Sequence, residues 1–259
     1  MFDAPTKEVL ANEFYKDLWR SPNYFSPHPN GLEKQRLQVV TEFLKRVYGP
    51  KEDSKPRKLR LLDLGCGRGW LRPFLEEWGQ VTSVEPVASA VELAQGFFPG
   101  AEIILGDAST LLARGLKESF DVIVSVDVFE HVESHAAFLR FATQLLRRGG
   151  YLILTTPPKE LYPHFCKIVP REQQQPVENW IARRDLIKIA KNEGLTLLDE
   201  DRIYEIFSHC GIWRLLNSVK LNGVVGRIPG MRSAWQWYKM RYALGYCCLL
   251  KKPFPKGLR

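Results

Sequence analysis

Apolar and polar positions change period along the chain, and the changes mark its elements. Residues 31 to 48 (GLEKQRLQVVTEFLKRVY) put Leu37, Val40, Phe43, Leu44 and Val47 on one face of an amphipathic helix, and residues 5 to 20 read as another. Gly49-Pro50 stops the longer helix, and KEDSKPRK is a polar linker. From Leu59 onward short apolar runs alternate with helical stretches. LRLLDLG, VTSVEP, AEIILGD, FDVIVSV and YLILTTPP read as strands, and WLRPFLEEWG, ASAVELAQGFF and residues 134 to 148 as helices. In the last of these, Phe138, Phe141, Ala142 and Leu145 recur at helical spacing. Arg147 and Arg148 suit the C-terminal end of its dipole, and Gly149-Gly150 close it. Apolar strands alternating with helices predict a parallel sheet covered on both faces.

After Pro158 the rhythm breaks. Residues 159 to 178 read as a loop, with Pro163, Pro170, Pro176 and a run of glutamines at 173–175. RRDLIKIAKNEGL is a helix with a glycine stop, TLLDEDRIYEIF a strand, and YALGYCCLLKK a last strand. Between the two strands lies a basic, aromatic segment, residues 208 to 240.

Composition narrows the class. With 45% hydrophobic and 25% charged residues the 259-residue chain is an ordinary globular protein. No run of about 18 apolar residues occurs, which argues against a spanning helix, and MFDAPTKEVLANEF lacks a signal peptide's basic start and apolar core. The five cysteines (Cys66, Cys166, Cys210, Cys247, Cys248) include no CxxC pair and are odd in number. A disulfide framework or structural zinc site is therefore not expected, and a reducing cytoplasm is the default. Charge is unevenly placed: residues 208 to 259 carry ten Lys/Arg and no Asp or Glu, so the whole +8 surplus belongs to the last fifth of the chain. That segment points to an anionic partner, whether a phosphorylated substrate, a membrane surface or nucleic acid.

The most specific motif is LLDLGCGRGW, residues 61 to 70. A strand ends at Asp63, and Gly65, Gly67 and Gly69 follow before a helix. Glycines allow positive φ and a close approach of ligand to backbone. Trp70 fills the place where a dinucleotide loop needs its last glycine, and the Gly-Lys-Ser/Thr of a P-loop is absent. Glu85 ends the second strand, where a carboxylate can accept both hydroxyls of a ribose. Asp107 ends the third and could accept an exocyclic amine of adenine, although acids at strand ends also cap helices.

On DLGCGRG, Glu85, Asp107, FDVIVSVDVFEHV and GGYLILTTPP the chain resembles the class I S-adenosylmethionine-dependent methyltransferases, from about Leu59 to Pro158. It is most similar to ubiquinone-type O-methyltransferases and to sugar- or lipid-linked methyltransferases. The resemblance implies a Rossmann-like, doubly wound α/β fold. Its sheet has seven strands with the last antiparallel, supplied here by YALGYCCLLKK, with N-terminal helices and a helical insertion before that strand. Three regions are expected: an N-terminal helical cap or lid (1–57), a cofactor-binding core (58–158), and a substrate-side part (159–259) containing the insertion 208–240. Carried over by position, Asp63 lies near the cofactor's amino group, with Gly65, Cys66, Gly67 and Gly69 against its methionine part. Glu85 and Pro86 hold the ribose, Asp107 and Ala108 the adenine, and Val126 and Asp127 complete the wall.

Methyl transfer from a sulfonium is an in-line displacement, so the protein's task is to align acceptor, methyl and sulfur. A hydroxyl acceptor must also lose a proton, which a base or a metal assists. DVFEHVESH (127–135) follows the fourth strand beside the expected methyl group and leaves three readings open. Asp127, Glu130 and His131 could ligate a metal, as in the E-x-x-E-H motif of metal-dependent relatives that include small-RNA 3′-end methyltransferases. Those relatives add a histidine just before a Trp, whereas QQQPVEN precedes Trp180 here and His164 lies sixteen residues upstream, so no metal is expected. His131 could be the base, with Glu130 or Asp127 orienting it. Or Glu130 and His131 shape the pocket without chemistry. His135 reads as a surface residue.

Acceptor contacts are expected from Tyr15, Trp19, Tyr24, His28, Trp180, His209 and Trp213. The insertion interleaves aromatics with Arg214, Lys220, Arg227, Arg232, Lys239 and Arg241, which suits a lid over a lipid-linked or phosphorylated acceptor, peripheral membrane contact, or RNA. The expectation is an enzyme moving a methyl group to an oxygen of a small, glycan or lipid-linked acceptor. An RNA-modifying methyltransferase and a non-catalytic cofactor-binding module are the rivals.

Overall fold

The computed structural model describes residues 14–19, 21, 25–49, 58–161, 175–203, 228, 230, 231 and 245–254. Tyr24, His164, His209, Trp213 and nearly all of the basic insertion lie outside them.

Residues 14–19 are helical. The next helix, α1 (Gly31–Tyr48), starts in a capping box: the Asn30 side chain accepts from the N–H groups of Leu32 and Glu33, and Glu33 reaches back to the Asn30 N–H. It ends at Gly49, where φ is 78°. The strands are β1 (Leu59–Leu64), β2 (Gly79–Glu85), β3 (Ile103–Leu105), β4 (Phe120–Val126), β5 (Leu146–Thr156), β6 (Thr196–Ile203) and β7 (Gly245–Lys251). They alternate with α2 (Arg72–Glu76), α3 (Ala88–Phe97), α4 (Ala108–Ala113), α5 (His135–Leu145) and α6 (Arg183–Asn192).

The seven strands form one sheet in the order β3-β2-β1-β4-β5-β7-β6. β1 to β5 are parallel, and β7 runs antiparallel between β5 and β6. This is the doubly wound architecture expected from the sequence, with the antiparallel strand supplied by the expected segment. Strand order reverses between β1 and β4, and the carboxyl ends of β1, β2 and β4 open onto that crevice, where ligands of such sheets bind.

Alternate residues of the central strands enter different halves of the core. Leu62, Leu64, Ile123, Leu152 and Leu154 pack with α4, α5 and α6, whereas Leu61, Val122, Val124 and Ile153 pack with α1, Trp70, Leu71 and Trp78. That period of two with both faces buried is why the strands read as unbroken apolar runs. Because Val39, Val40, Phe43 and Leu44 share the second cluster, α1 is a layer of the core. Among the described residues no helix is long and apolar enough to cross a membrane.

Three expectations change. The helix read over residues 134–148 stops at Leu145, and Arg147 and Arg148 belong to β5. Leu146 pairs with Phe120, and the Arg147 guanidinium meets Asp121 at 2.5 Å, so sheet pairing overrides the local helix-end signal. WLRPFLEEWG yields only α2, five residues beginning beside Pro73. A short helix, α4, appears where none was read, started by Asp107 and Thr110 in a reciprocal cap.

Candidate active site

The crevice floor is the turn after β1. Gly65 and Gly67 have φ of 81° and 52°, in the left-handed region. A Cβ at Gly65 would collide with the Val128 side chain, and one at Gly67 would stand 2.8 Å from the Trp19 indole. The N–H groups of the turn are used within the protein: those of Gly65 and Cys66 donate to the Val84 carbonyl at 2.9 and 3.1 Å. The Gly67 N–H donates to Glu85 Oε2 at 2.9 Å and the Val87 N–H to Glu85 Oε1 at 3.0 Å. Glu85 is 6% exposed, and burial pushes its carboxyl up to about 7 against the pull of those donors.

Asp63 is 2% exposed, and its Oδ2 is buried with no hydrogen-bond partner. Burial pushes this carboxyl to about 7 as well, opposed by the nearby Arg72 guanidinium. An orphaned buried acceptor is costly and calls for a donor. Cys66 is packed into a small cluster with Val91, Ala94 and Ile103, and burial pushes its thiol far up, so it is inert packing.

The N-terminal segment closes over this floor. Trp19 rests on Gly67, and the Tyr15 hydroxyl donates to Gln175 Oε1, bridging to the far wall. Tyr15's phenol is pushed up by burial and by the carboxylates of Glu85, Glu178 and Glu130. The closure is tied down by Arg68 of the glycine loop, which is 1% exposed. It grips Glu33 of α1 with both terminal nitrogens, at 2.7 and 2.6 Å, and donates to the carbonyls of Ser26 and His28. His28 therefore takes part through its backbone, and its side chain is exposed.

The other wall is the turn after β4. Asp127 has φ of 53°, a conformation Asp tolerates better than most residues. Its N–H donates to Thr155 Oγ1, which donates back to Asp127 Oδ1 at 2.8 Å, and Oδ2 is paired with Arg36 of α1. Glu130 is buried and accepts from the Thr156 hydroxyl at 3.1 Å. Burial and the Asp127 charge push its carboxyl well above the usual carboxylate range. The His131 side chain is 15% exposed, with Nδ1 2.8 Å from the Val177 carbonyl. A carbonyl only accepts, so Nδ1 carries the proton and Nε2 is bare, 3.8 Å from Glu130 Oε1. Burial lowers the imidazole's pKa, and the ring is neutral at pH 7.

Both oxygens of Asp127 are thus engaged by Arg36 and Thr155. Among the described residues no group of three His, Cys, Asp or Glu is arranged to hold a metal.

A family model described as a methyltransferase domain matches residues 32–211, more than half of the chain. The chain belongs to this methyltransferase family. An ubiquinone biosynthesis O-methyltransferase of Pelagibacter ubique is 26% identical over 83% of this chain and 94% of its own length. The namesake of Nitrobacter winogradskyi is 35% identical over 70% of this chain and 71% of its own. A solved structure titled as a putative sarcosine dimethylglycine methyltransferase from Galdieria sulphuraria superposes with a TM-score of 0.60, at 14% identity, over 94% of this chain and 98% of that one.

As a methyltransferase of this family the protein depends on S-adenosylmethionine, and the residues present fit that group. The unpartnered Asp63 Oδ2 suits its ammonium. Glu85 has spent two of roughly four acceptor positions on backbone N–H groups, which leaves two for a pair of hydroxyls. Asp107 is an exposed N-cap, its Oδ1 taken by Ser109 and Thr110, while Ala108 behind it is buried. Pro86 is exposed at the rim and Val126 is half-buried. Gly69 lies inside the loop, its space bordered by Phe98. Trp180 donates to Glu178 on the far wall.

His135 is half-buried and stacks on Phe129 with ring centroids 4.4 Å apart, which corrects its reading as a surface residue. Arg36, Arg68, Thr155, Thr156 and Asn179 were not singled out by sequence. Signals for three of them existed: Arg36 interrupts the apolar face of α1, and the paired threonines close β5 immediately before Pro157.

Proposed function

We propose that the protein transfers a methyl group from S-adenosylmethionine to a ring hydroxyl of a small quinol- or catechol-type acceptor, with His131 taking the proton. The observation that carries this reading is the bare Nε2 of His131, fixed by the Val177 carbonyl on the turn after β4. The relatives' name, ubiquinone biosynthesis O-methyltransferase, favours a ring hydroxyl over a sugar or an RNA ribose. The basic, aromatic composition of residues 208 to 240 supports an acceptor carrying an apolar chain, delivered from a membrane surface or as a lipid-linked molecule.

S-adenosylmethionine supplies a methyl group already activated on a sulfonium. Asp63 and Glu85 anchor its amino and ribose ends, and Gly65 and Gly67 let it lie against the backbone. Trp19 and Tyr15 cover the crevice and exclude water. Burial lowers the pKa of His131, so the imidazole remains unprotonated and free to accept the acceptor's proton at Nε2.

The test is tritiated methyl transfer to catechol, a prenylated catechol and a sugar alcohol. Label is expected on catechol oxygens and not on the sugar. His131→Gln should lower kcat by about 10²–10⁴ with cofactor affinity intact, the range of a lost general base. A His131→Gln enzyme of full rate, or a rate abolished by EDTA and restored by Mg²⁺, would overturn the assignment.

A further inference from the structure

The segment at residues 175–181 crosses the mouth of the site, and its attachment to the turn after β4 is unusually specific. Ile181 anchors one end: its side chain is buried in the core, and its carbonyl accepts from the Lys159 N–H at 3.2 Å. Asn179 supplies the rest. Its N–H donates to the Glu130 carbonyl at 2.7 Å, and its Nδ2 donates to the carbonyls of Val132 at 3.0 Å and Glu133 at 3.3 Å. Both side-chain partners are carbonyls, so the amide must present its NH₂ end to them. Three bonds from one residue thus bracket His131, taking the carbonyls of its neighbours at positions 130, 132 and 133. Two residues before Asn179, the Val177 carbonyl accepts from His131 Nδ1.

We propose that Asn179 is a positioning residue for methyl transfer. It fastens the 175–181 segment to the 130–133 turn, holds the Val177 carbonyl on His131 Nδ1, and so keeps the Nε2 lone pair available to the acceptor. The proposal rests on His131 acting as the base. The Nδ1–O distance is 2.8 Å, and a displacement of about 1 Å carries it beyond hydrogen-bond range. Without that acceptor the neutral ring is free to move its proton to Nε2, the tautomer imidazole favours in water, and the lone pair then faces away from the crevice. The residue tightens one wall of the acceptor entrance and sets the protonation geometry of the base in the same act.

The experiment is ¹⁵N NMR of histidine-labelled protein, with His131 identified by the signals lost in His131→Gln. Wild type should show a protonated Nδ1 and a bare Nε2 at His131. Asn179→Asp is nearly isosteric but sets an acceptor against the Val132 and Glu133 carbonyls, and Asn179→Ala removes the donors. Both should move the proton to Nε2 and lower kcat for catechol methylation by about 10-fold or more, with affinity for S-adenosylhomocysteine unchanged. A wild-type His131 protonated at Nε2 overturns the proposal without any variant, which covers the case of variants that do not fold. Variants that retain the Nδ1 proton also overturn it. If His131→Gln transfers methyl at full rate, the base assignment fails instead, and the tautomer measurement still decides whether Asn179 sets the ring.

Discussion

Cofactor affinity should rise steeply with pH between 6 and 8, because both anchoring carboxyls sit in the apo crevice near pKa 7. Asp63 and Glu85 are raised from ordinary values of 3.8 and 4.5 to about 7, chiefly by burial. An ammonium and a pair of hydroxyls are held by the ionised forms. At pH 6 each carboxyl is about one tenth ionised and at pH 8 about nine tenths, so each contributes about a 10-fold change in apparent Kd, or about 1.4 kcal/mol. With both required, the change approaches about 100-fold; repulsion between the two charges spreads their ionisations into two steps and broadens the pH range of the change. Folding stability runs the other way. An acid whose folded pKa is raised binds more protons folded than unfolded, so the apo protein loses stability as pH climbs from about 4 to about 7. Isothermal titration with S-adenosylhomocysteine across this range measures the slope, and repeating it in buffers of different ionisation enthalpy counts the protons released. Asp63→Asn should flatten about half the slope, weaken binding, and raise the apo melting temperature at pH 8. A Kd that is flat from pH 6 to 8, or a slope in Asp63→Asn or Glu85→Gln as steep as that of the wild type, would refute the assignment.

Arg68→Met should destabilise the fold by about 3–5 kcal/mol, since it strands Glu33 in a buried place, and Arg68→Met with Glu33→Leu should recover much of that in denaturant titrations. Recovery failing in the double variant would show that the carbonyls of Ser26 and His28, not Glu33, are the partners that matter. Gly67→Ala should cost about 1–2 kcal/mol of stability from its positive φ and push Trp19 off the loop. Its cofactor Kd should rise more than the melting temperature falls, and a normal Kd would mean the loop does not close on the ligand.

The strands, and the two strand-end carboxylates proposed to hold the cofactor, were legible because each leaves a local trace. β4 is buried at six of its seven positions and therefore reads as an apolar run. Asp63 and Glu85 stand at strand ends within a fixed βα rhythm, so spacing alone places them on one edge. What the sequence concealed is held by partners far away along the chain. Arg36 meets Asp127 across 91 positions and Arg68 meets Glu33 across 35, and neither a charge on a helix nor one in a glycine loop announces such a partner. The same distance effect moved Arg147 from a helix end into a sheet, because Asp121 across the ladder outweighs a dipole worth a few tenths of a kcal/mol. It also separates the readings of DVFEHVESH. Three ligand-type residues in five positions look alike whether they hold a metal, act as a base or fill space. Their roles diverge only when Arg36 and Thr155 claim Asp127, Thr156 claims Glu130, and Val177 takes the proton of His131. Each of those claimants comes from α1, from the end of β5 or from the segment before α6. The chemistry of the turn after β4 is therefore written in the elements packed around it, and substitutions at Arg36, Thr155 or Asn179 should alter methyl transfer as surely as changes to the turn itself.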